Sequence, residues 1–306
     1  LRSKDGGRRW RSCTSNLTGG MNYLELPVNY QFASHVSCFT KKYVKRCLSY
    51  AAILLTLHPK LLTVMRYFIT LSYDGSRYHG WQVQPNGNTV QAELEKALAV
   101  LLREQVPVVG AGRTDTGVHA RMMVAHFDFG KKIECADLVY KLNRFLPYDI
   151  AISKIEQVDE SMHARFSATL RTYHYYIHLH KSPFVHAYSC EIHYKLDFGM
   201  MNEAAALLLE YQDFGAFCKS NTDVKTTICD VKTAAWHQLS PTSWYFEISA
   251  NRFLRNMVRA VVGTLIEVGR HRMDIADFKK VIEGKKRTAA GESMPGHALF
   301  LENIEY

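Results

Sequence analysis

The stretch GAGRTDTGVHA, from Gly110 to Ala120, determines how the rest of the chain is interpreted. It follows a short apolar run over 106–109 and precedes a second one over 122–127, so we expect a loop between two buried strands. Its three glycines indicate backbone with positive φ angles or close approach to another segment. A loop anchored at both ends is a rigid support for a reactive group, and this one carries the carboxylate of Asp115.

The residues of this loop also permit a plainer interpretation, a polar turn in which Thr114 or Asp115 caps its own backbone. A phosphate-binding loop is disfavoured, because no Lys-Ser/Thr pair follows and no helical pattern begins at Gly117. The pattern by itself leaves the reactive loop and the polar turn open.

Charge is distributed unevenly along the 306 residues. Residues 1–64 hold ten Lys and Arg against two acids, whereas the rest of the chain has a net charge of +1. The hydrophobic content of 47% and the length indicate a folded protein with room for two domains. The net positive charge of the whole chain suggests a nucleic-acid partner, but residues 65–306 are nearly neutral. Any attraction of this part to RNA would depend on arginines that are clustered locally.

Residues 1–64 are expected to be a leader that is disordered or extraneous, with Met65 beginning the native protein. An organellar targeting segment is the alternative, because the region is basic and poor in acids. The apolar stretch 48–64 is interrupted, and its longest clean run, 51–57, is far shorter than the ~20 residues that cross a bilayer. We therefore expect no membrane segment.

Seven cysteines are scattered without a Cys-x-x-Cys pair or a Cys/His ligand spacing. This argues against a structural zinc site and a disulfide framework, and it fits free thiols in a reducing cytosol. We predict a cytoplasmic protein without a metal.

Periodicity predicts strand, helix, strand, strand, helix and strand in the first half, the order of a ferredoxin-like split βαβ unit. The predicted elements are strand 66–73, helix 90–103 capped by Thr89, a strand near 106–109, strand 122–129, helix 136–145 and strand 150–156. The second half repeats this order loosely, with strand 171–178, helix 200–209, strands 225–237 and 243–250, a helix through Arg259 and a last strand opening at 298–301.

Arg259 falls on the same helical face as Val262 and Ile266, which is apolar. A half-buried guanidinium there requires a carboxylate partner, because an unpaired buried charge costs several kcal/mol. The alternative is an arginine that extends to solvent along its aliphatic stem.

Several separated motifs together resemble the tRNA pseudouridine synthase A family, from about Met65 to Tyr306. They are Gly-Arg-Thr-Asp-x-Gly-Val-His-Ala, Tyr-Asp-Gly, Tyr-x-Gly-Trp-Gln, Arg-Phe-Ser-Ala with Arg-x-Tyr, and Met-Val-Arg. One position differs from the commonest form, Thr116 where alanine is usual.

The resemblance implies an α+β fold of two ferredoxin-like subdomains, residues 65–162 and 163–306. A largely antiparallel sheet would join them, with helices on the outer faces and a central RNA-binding cleft. It also implies isomerisation of uridine to pseudouridine in the tRNA anticodon stem-loop, at tRNA positions 38 to 40. No cofactor would be needed, and the protein would be a homodimer.

The resemblance also assigns roles to single residues. Asp115 would be the nucleophile or base, Tyr173 would stack on the target base, and Arg259 would pair with Asp115. Leu299 would pack beneath the site. Arg113, two residues before Asp115, could bind the substrate either by occupying the space that the flipped base vacates in the RNA or by holding a phosphate. Six further arginines flank the motifs and are candidates for RNA phosphate contacts or for structural ion pairs: Arg77, Arg121, Arg165, Arg171, Arg252 and Arg255.

Two other function classes stay open at this level. A nucleoside or glycoside hydrolase would also attack an anomeric carbon, but commonly requires a second carboxylate, for which Asp74 or Asp128 are the candidates. A non-catalytic RNA-binding or folding protein would retain full function without Asp115.

Overall fold

A computed structural model describes residues 64–219 and 225–306 of the chain. The predicted leader, except Val64, lies outside these residues. The strands are β1 Met65–Tyr73, β2 Val109–Gly110, β3 His119–Phe129, β4 Ile150–Val158, β5 Leu170–His178, β6 Cys190–Glu191, β7 Val231–Ser240, β8 Ser243–Ala250 and β9 Leu299–Glu305. The helices are α1 Val90–Leu102, α2 Cys135–Phe145, α3 Phe198–Leu207, α4 Met257–Gly269 and α5 Ile275–Gly284.

The strands form one sheet in the order β4-β1-β3-β9-β5-β8-β7, with β2 added to β3 and β6 added to β5. The first half has the order β4-β1-β3-β2, and the second half repeats it as β9-β5-β8-β7. Both halves thus have the ferredoxin-like arrangement. Pairing is antiparallel except between β3 and β9 and between β5 and β6. The predicted α+β class and largely antiparallel sheet are confirmed.

Most predicted elements are present, with shifted ends. Thr89 caps α1 by accepting a hydrogen bond from the backbone N–H of Ala92, as the sequence predicts. The apolar run 106–109 yields only the short strand β2. The predicted strand 225–237 begins late, at Val231, because the preceding backbone instead pairs with the segment around Asp213. Helix α5 was not predicted, although Asp274 caps its first turn.

Side chains on one face of the sheet pack under the helices. Tyr73, Ala120, Leu301 and Tyr173 are aligned across β1, β3, β9 and β5 by the strand register, and they belong to this face. The buried residues form two clusters, one per half, and Tyr173 packs against both. The junction of β3 with β9 therefore places the boundary between the two cores in the centre of the sheet. The division of the chain at 162/163 stays a prediction.

Candidate active site

The loop that carries Asp115 crosses from one core to the other. Its first residue, Ala111, is buried in the first cluster, and its last residue, Val118, is buried in the second. The backbone N–H of Ala111 donates to the carbonyl of Val124 at 2.8 Å, and the N–H of Val118 donates to that of Asp115 at 3.1 Å. Asp115 is therefore presented midway between two fixed points.

Neighbouring segments hold the loop closely. Gly80 has φ +90°, and a Cβ there would lie 2.3 Å from the carbonyl oxygen of Thr114. The backbone N–H of Trp81 donates to that same oxygen at 3.2 Å. The Thr114 hydroxyl is hydrogen-bonded to the buried Tyr73 hydroxyl at 2.8 Å. Thr114 therefore binds another strand instead of capping its own backbone, and the loop is a rigid support.

Arg259 provides the nearest positive charge to Asp115. Its Nη1 lies 3.4 Å from Oδ2 of the carboxylate, and the two side chains are 21% and 30% exposed. Its Nε donates to the carbonyl of Met294 at 2.5 Å, and the backbone N–H of Met294 donates to the Arg259 carbonyl at 3.1 Å. The guanidinium is thus fixed from two sides, and it does not extend into solvent.

A second arginine, Arg255, approaches the other oxygen of the carboxylate more loosely. Its Nε lies 4.0 Å from Oδ1 of Asp115, and its side chain is 58% exposed. An exposed pair at this distance contributes little energy. Arg255 is therefore able to turn towards another anion without cost to the fold.

Tyr173 lies at the boundary of the two cores, near the carboxylate. The rings of Tyr173 and Phe253 pack nearly perpendicular to one another, with centroids 5.1 Å apart. Burial, together with the negative charge of Asp115, raises the pKa of Tyr173 to about 12, so its hydroxyl stays protonated at neutral pH. Leu299 begins β9 opposite Tyr175 and is buried in the second core.

The predicted arginines are separated by the sheet. Arg113 is exposed two residues before Asp115. Arg252 and Arg255 precede α4, and Arg252 donates weakly to the Thr226 carbonyl at 3.4 Å. Arg165 is exposed beside the ring of Phe166.

Arg77 and Arg121 lie in a different part of the structure from Asp115. Arg77 pairs with Asp149 at 3.1 Å. Arg121 pairs with Glu302 at 3.2 Å and lies over the ring of Phe300. Arg121 and Asp149 line a cavity of about 530 Å³ together with Phe300, on the side of the sheet away from Tyr173. Both arginines already have carboxylate partners there.

Arg171 has a structural task that the sequence did not indicate. Its two terminal nitrogens donate to four backbone carbonyls, those of Ala168, Asn251, Ala111 and Arg165. Burial lowers its pKa. These N–H groups join β5 to the loop of Asp115 and to two further segments, and the RNA contact of Arg171 stays a prediction.

Comparison with known proteins identifies the family. A family model described as tRNA pseudouridine synthase matches residues 69–167 and 204–306. The tRNA pseudouridine synthase A of Bacteroides fragilis is 55% identical over 246 residues, 80% of this chain and 98% of that protein. Those of Parabacteroides distasonis and Bacillus subtilis are 55% and 41% identical, each over 79% of this chain and 96% and 99% of the relative. The chain belongs to the tRNA pseudouridine synthase family. It is therefore an isomerase of the pseudouridine synthase class.

The two acids considered for a hydrolase have other partners in this pseudouridine synthase. Asp128 is bound by Arg66 through two contacts of 2.7 Å, near the opposite end of β3. Asp74 accepts from the N–H of Ser76 and from the hydroxyl of Tyr188. Neither carboxylate makes a described contact with Asp115, and each is engaged by partners of its own.

Sequence reasoning missed three groups that shape the synthase site. Tyr73 belongs to the Tyr-Asp-Gly motif, so the sequence marks this residue. The motif does not show that its hydroxyl is hydrogen-bonded to Thr114. The Met294 carbonyl and the Phe253 ring depend on tertiary contacts that no local pattern encodes.

In the described ranges, no cluster of three His, Cys, Asp or Glu side chains is suited to hold a metal ion. The helices there are too short or too polar to cross a membrane.

Proposed function

We propose that this synthase isomerises uridine in the anticodon stem-loop of tRNA, at tRNA positions 38 to 40, with Asp115 as the reacting carboxylate. The observation that carries the proposal is the placement of Asp115: a rigid loop presents it between the two cores, with Arg259 3.4 Å away. Tyr173 lies beside it with a protonated hydroxyl. The family membership supports the reaction, and the geometry supports the residue.

The reaction needs one aimed carboxylate and no change of oxidation state. The bond from N1 of uracil to C1′ breaks, the base turns, and C5 bonds to C1′ while C5 loses a proton and N1 gains one. Asp115 acts as nucleophile or as base in this sequence. Arg259 offsets its charge and fixes its direction, because the guanidinium is itself held by Met294.

The target uridine has to leave its base stack to reach Asp115, because the carboxylate is recessed between two cores. The ring of Tyr173 offers a stacking surface at that point. Arg113, Arg165, Arg252 and Arg255 are at least partly exposed, and we assign them to the phosphates of the RNA.

We further propose that the enzyme is a cytoplasmic homodimer that pairs through the face of the sheet opposite Tyr173. This face carries a row of rings, with Tyr245 stacked on His237 and close to Tyr176, whose ring meets Phe300. Exposed apolar side chains flank it, including Phe184 at 90% and Leu239 at 57%. The carboxylates of Glu247 and Glu302 disfavour RNA there, whereas a second copy can bury the patch by two-fold symmetry.

Sedimentation analysis of the enzyme and of Phe184→Asp tests the dimer. We expect a dimer that the substitution dissociates, and a wild-type monomer at micromolar concentration would contradict it. The free thiols of Cys135, Cys190, Cys218 and Cys229 support a reducing compartment.

The activity is tested by mapping pseudouridine through chemical labelling and primer extension on unmodified tRNA, with the enzyme and with Asp115→Ala. New signals in the anticodon stem-loop that are absent with the variant are expected. Mass spectrometry of the product separates isomerisation, which leaves the mass unchanged, from hydrolysis, which releases free base. Signals from both proteins would remove Asp115 from the mechanism.

A further inference from the structure

His119 is a buried, titratable side chain that the proposed chemistry does not use. It begins β3, four residues after Asp115, and is only 1% exposed. Its ring stacks on that of Phe300 with centroids 4.5 Å apart, and the ring of Tyr188 meets it at 5.2 Å. His119 belongs to the Gly110–Ala120 stretch and lies next to the loop of Asp115. Because its ring is buried, its two nitrogens need hydrogen-bond partners.

The hydrogen bonds of His119 define its protonation state. Nδ1 lies 3.0 Å from the backbone N–H of Gly75, which can only donate. Nε2 lies 2.9 Å from the carbonyl of His297, which can only accept. Both bonds form together only when Nδ1 is bare and Nε2 carries the hydrogen, which is the neutral ring.

The two segments that His119 joins are those that pack on the Asp115 loop. A Cβ on Gly75 would lie 2.0 Å from the Val118 carbonyl oxygen. A Cβ on Gly296, beside His297, would lie 2.6 Å from the carbonyl oxygen of Thr116. His119 thus connects the segment around Gly75 to the segment around His297, and these two segments hold the C-terminal half of the loop.

Asp74 is a second possible hydrogen-bond partner of Nδ1 of His119. Oδ1 of Asp74 also lies 3.0 Å from Nδ1 of His119, and this contact is favourable only when Nδ1 carries a proton. The other charged or titratable groups around the ring are Tyr188, which binds Asp74, and His297 itself. Across the same cavity lie Arg121, Tyr148 and Asp149. Burial lowers the pKa of His119 in spite of Asp74, so the ring is neutral at neutral pH.

We propose that neutral His119 is a positioning residue that locks the Asp115 loop, and that its protonation releases the loop by exchanging Gly75 for Asp74. Acid would then reduce turnover before it reduces binding of tRNA, because the arginines assigned to the phosphates are unaffected. This inference rests on the proposed function, since turnover is one of its readouts.

The first test compares the pH dependence of kcat in the wild type and in His119→Asn, whose amide oxygen can accept from Gly75 but cannot titrate. We expect the wild-type rate to fall with a midpoint below the ordinary histidine value of about 6.5. In the variant this limb should move to lower pH, where carboxylates titrate, with KM for tRNA unchanged. An identical acid limb in both proteins would overturn the proposal.

His126→Asn is the matched control. His126 is also buried in β3, 4% exposed, and its Nδ1 accepts from the backbone N–H of Ala164, but it does not contact the Asp115 loop. The pKa of His126 is lowered to about 4, chiefly by burial. The control should lose stability while its acid limb of kcat stays as in the wild type; a shift equal to that of His119→Asn would also overturn the proposal.

A second measurement requires no variant and no activity. Nitrogen-15 NMR of the histidine rings in the wild-type enzyme at pH 7 should show His119 with a bare Nδ1 and a protonated Nε2. A protonated Nδ1 would overturn the proposal. A wild type that forms no pseudouridine would instead reject the proposed function, and the NMR result would still decide the state of His119.

Discussion

The two halves of the molecule share one topology but differ in the length of one connection between strands. In the first half the strands β2 and β3 are joined by residues 111–118, the loop that presents Asp115. In the second half the corresponding strands β7 and β8 are joined by residues 241–242 alone. A two-residue turn is sufficient to join such strands, so the fold alone does not require the eight-residue loop that carries Asp115.

The second half contributes the partners of the carboxylate instead. Arg259 lies in the first turn of α4, the counterpart of α2, whose first turn carries Asp137 and no arginine. Tyr173 comes from β5, the counterpart of β1. Neither half holds all three side chains of the proposed site, so we expect the chemistry to depend on the junction between β3 and β9.

The largest effect is expected from removing the arginine that the second half supplies. Arg259→Gln should lower kcat about 100-fold, because a charge-assisted contact to the reacting carboxylate is worth several kcal/mol. Arg255→Gln is the control at the other oxygen, 4.0 Å away and exposed, and should lower kcat less than about fivefold. Equal losses in steady-state assays of the two variants would contradict the distinction.

The next effect concerns the ring of Tyr173. Tyr173→Leu should reduce kcat/KM by about 10- to 100-fold, because stacking on a base is worth ~1–3 kcal/mol. Tyr173→Phe keeps the ring and should stay within about threefold of the wild type. A loss for Tyr173→Phe as large as that for Tyr173→Leu in the same assay would contradict this assignment.

A smaller effect is expected where the first half supports its loop. Gly80→Ala should lower the free energy of unfolding by ~1–3 kcal/mol and reduce kcat, because φ is +90° and the new Cβ would meet Thr114. Gly112→Ala is the matched control within the loop, since no atom lies within 4 Å of its Cβ. Thermal unfolding and turnover should change in the first variant and not in the second.

The smallest effect concerns the outer arginines. Arg113→Gln should remove about one phosphate contact. The slope of the logarithm of the tRNA binding constant against the logarithm of the salt concentration should therefore fall by about one, while kcat stays almost unchanged. Arg144→Gln is the control, because Arg144 is exposed at the end of α2. An unchanged slope for Arg113→Gln in filter-binding titrations would remove Arg113 from the RNA surface.

The sequence permits prediction of the elements and of the loop, because periodicity and glycine placement are local properties. It also anticipates that Arg259 needs a carboxylate, since the apolar neighbours Val262 and Ile266 are visible on its helical face. What it cannot supply is the binding of Arg171 to the carbonyls of Ala111 and Asn251 or of Arg259 to that of Met294, because these partners are distant in sequence. The separation of Arg77 and Arg121 from Arg113 likewise follows from the sheet register.

The central claim is that Asp115 and Arg259, one from each half, act as a single pair. It is tested most directly by the single-turnover rate of pseudouridine formation in the wild type, Arg259→Gln, Asp115→Asn and the double variant. We expect Arg259→Gln to slow the wild type about 100-fold, and Asp115→Asn to form no pseudouridine whether or not Arg259 is present. A rate for Arg259→Gln within about threefold of the wild type, or pseudouridine formed by Asp115→Asn, would contradict this pairing.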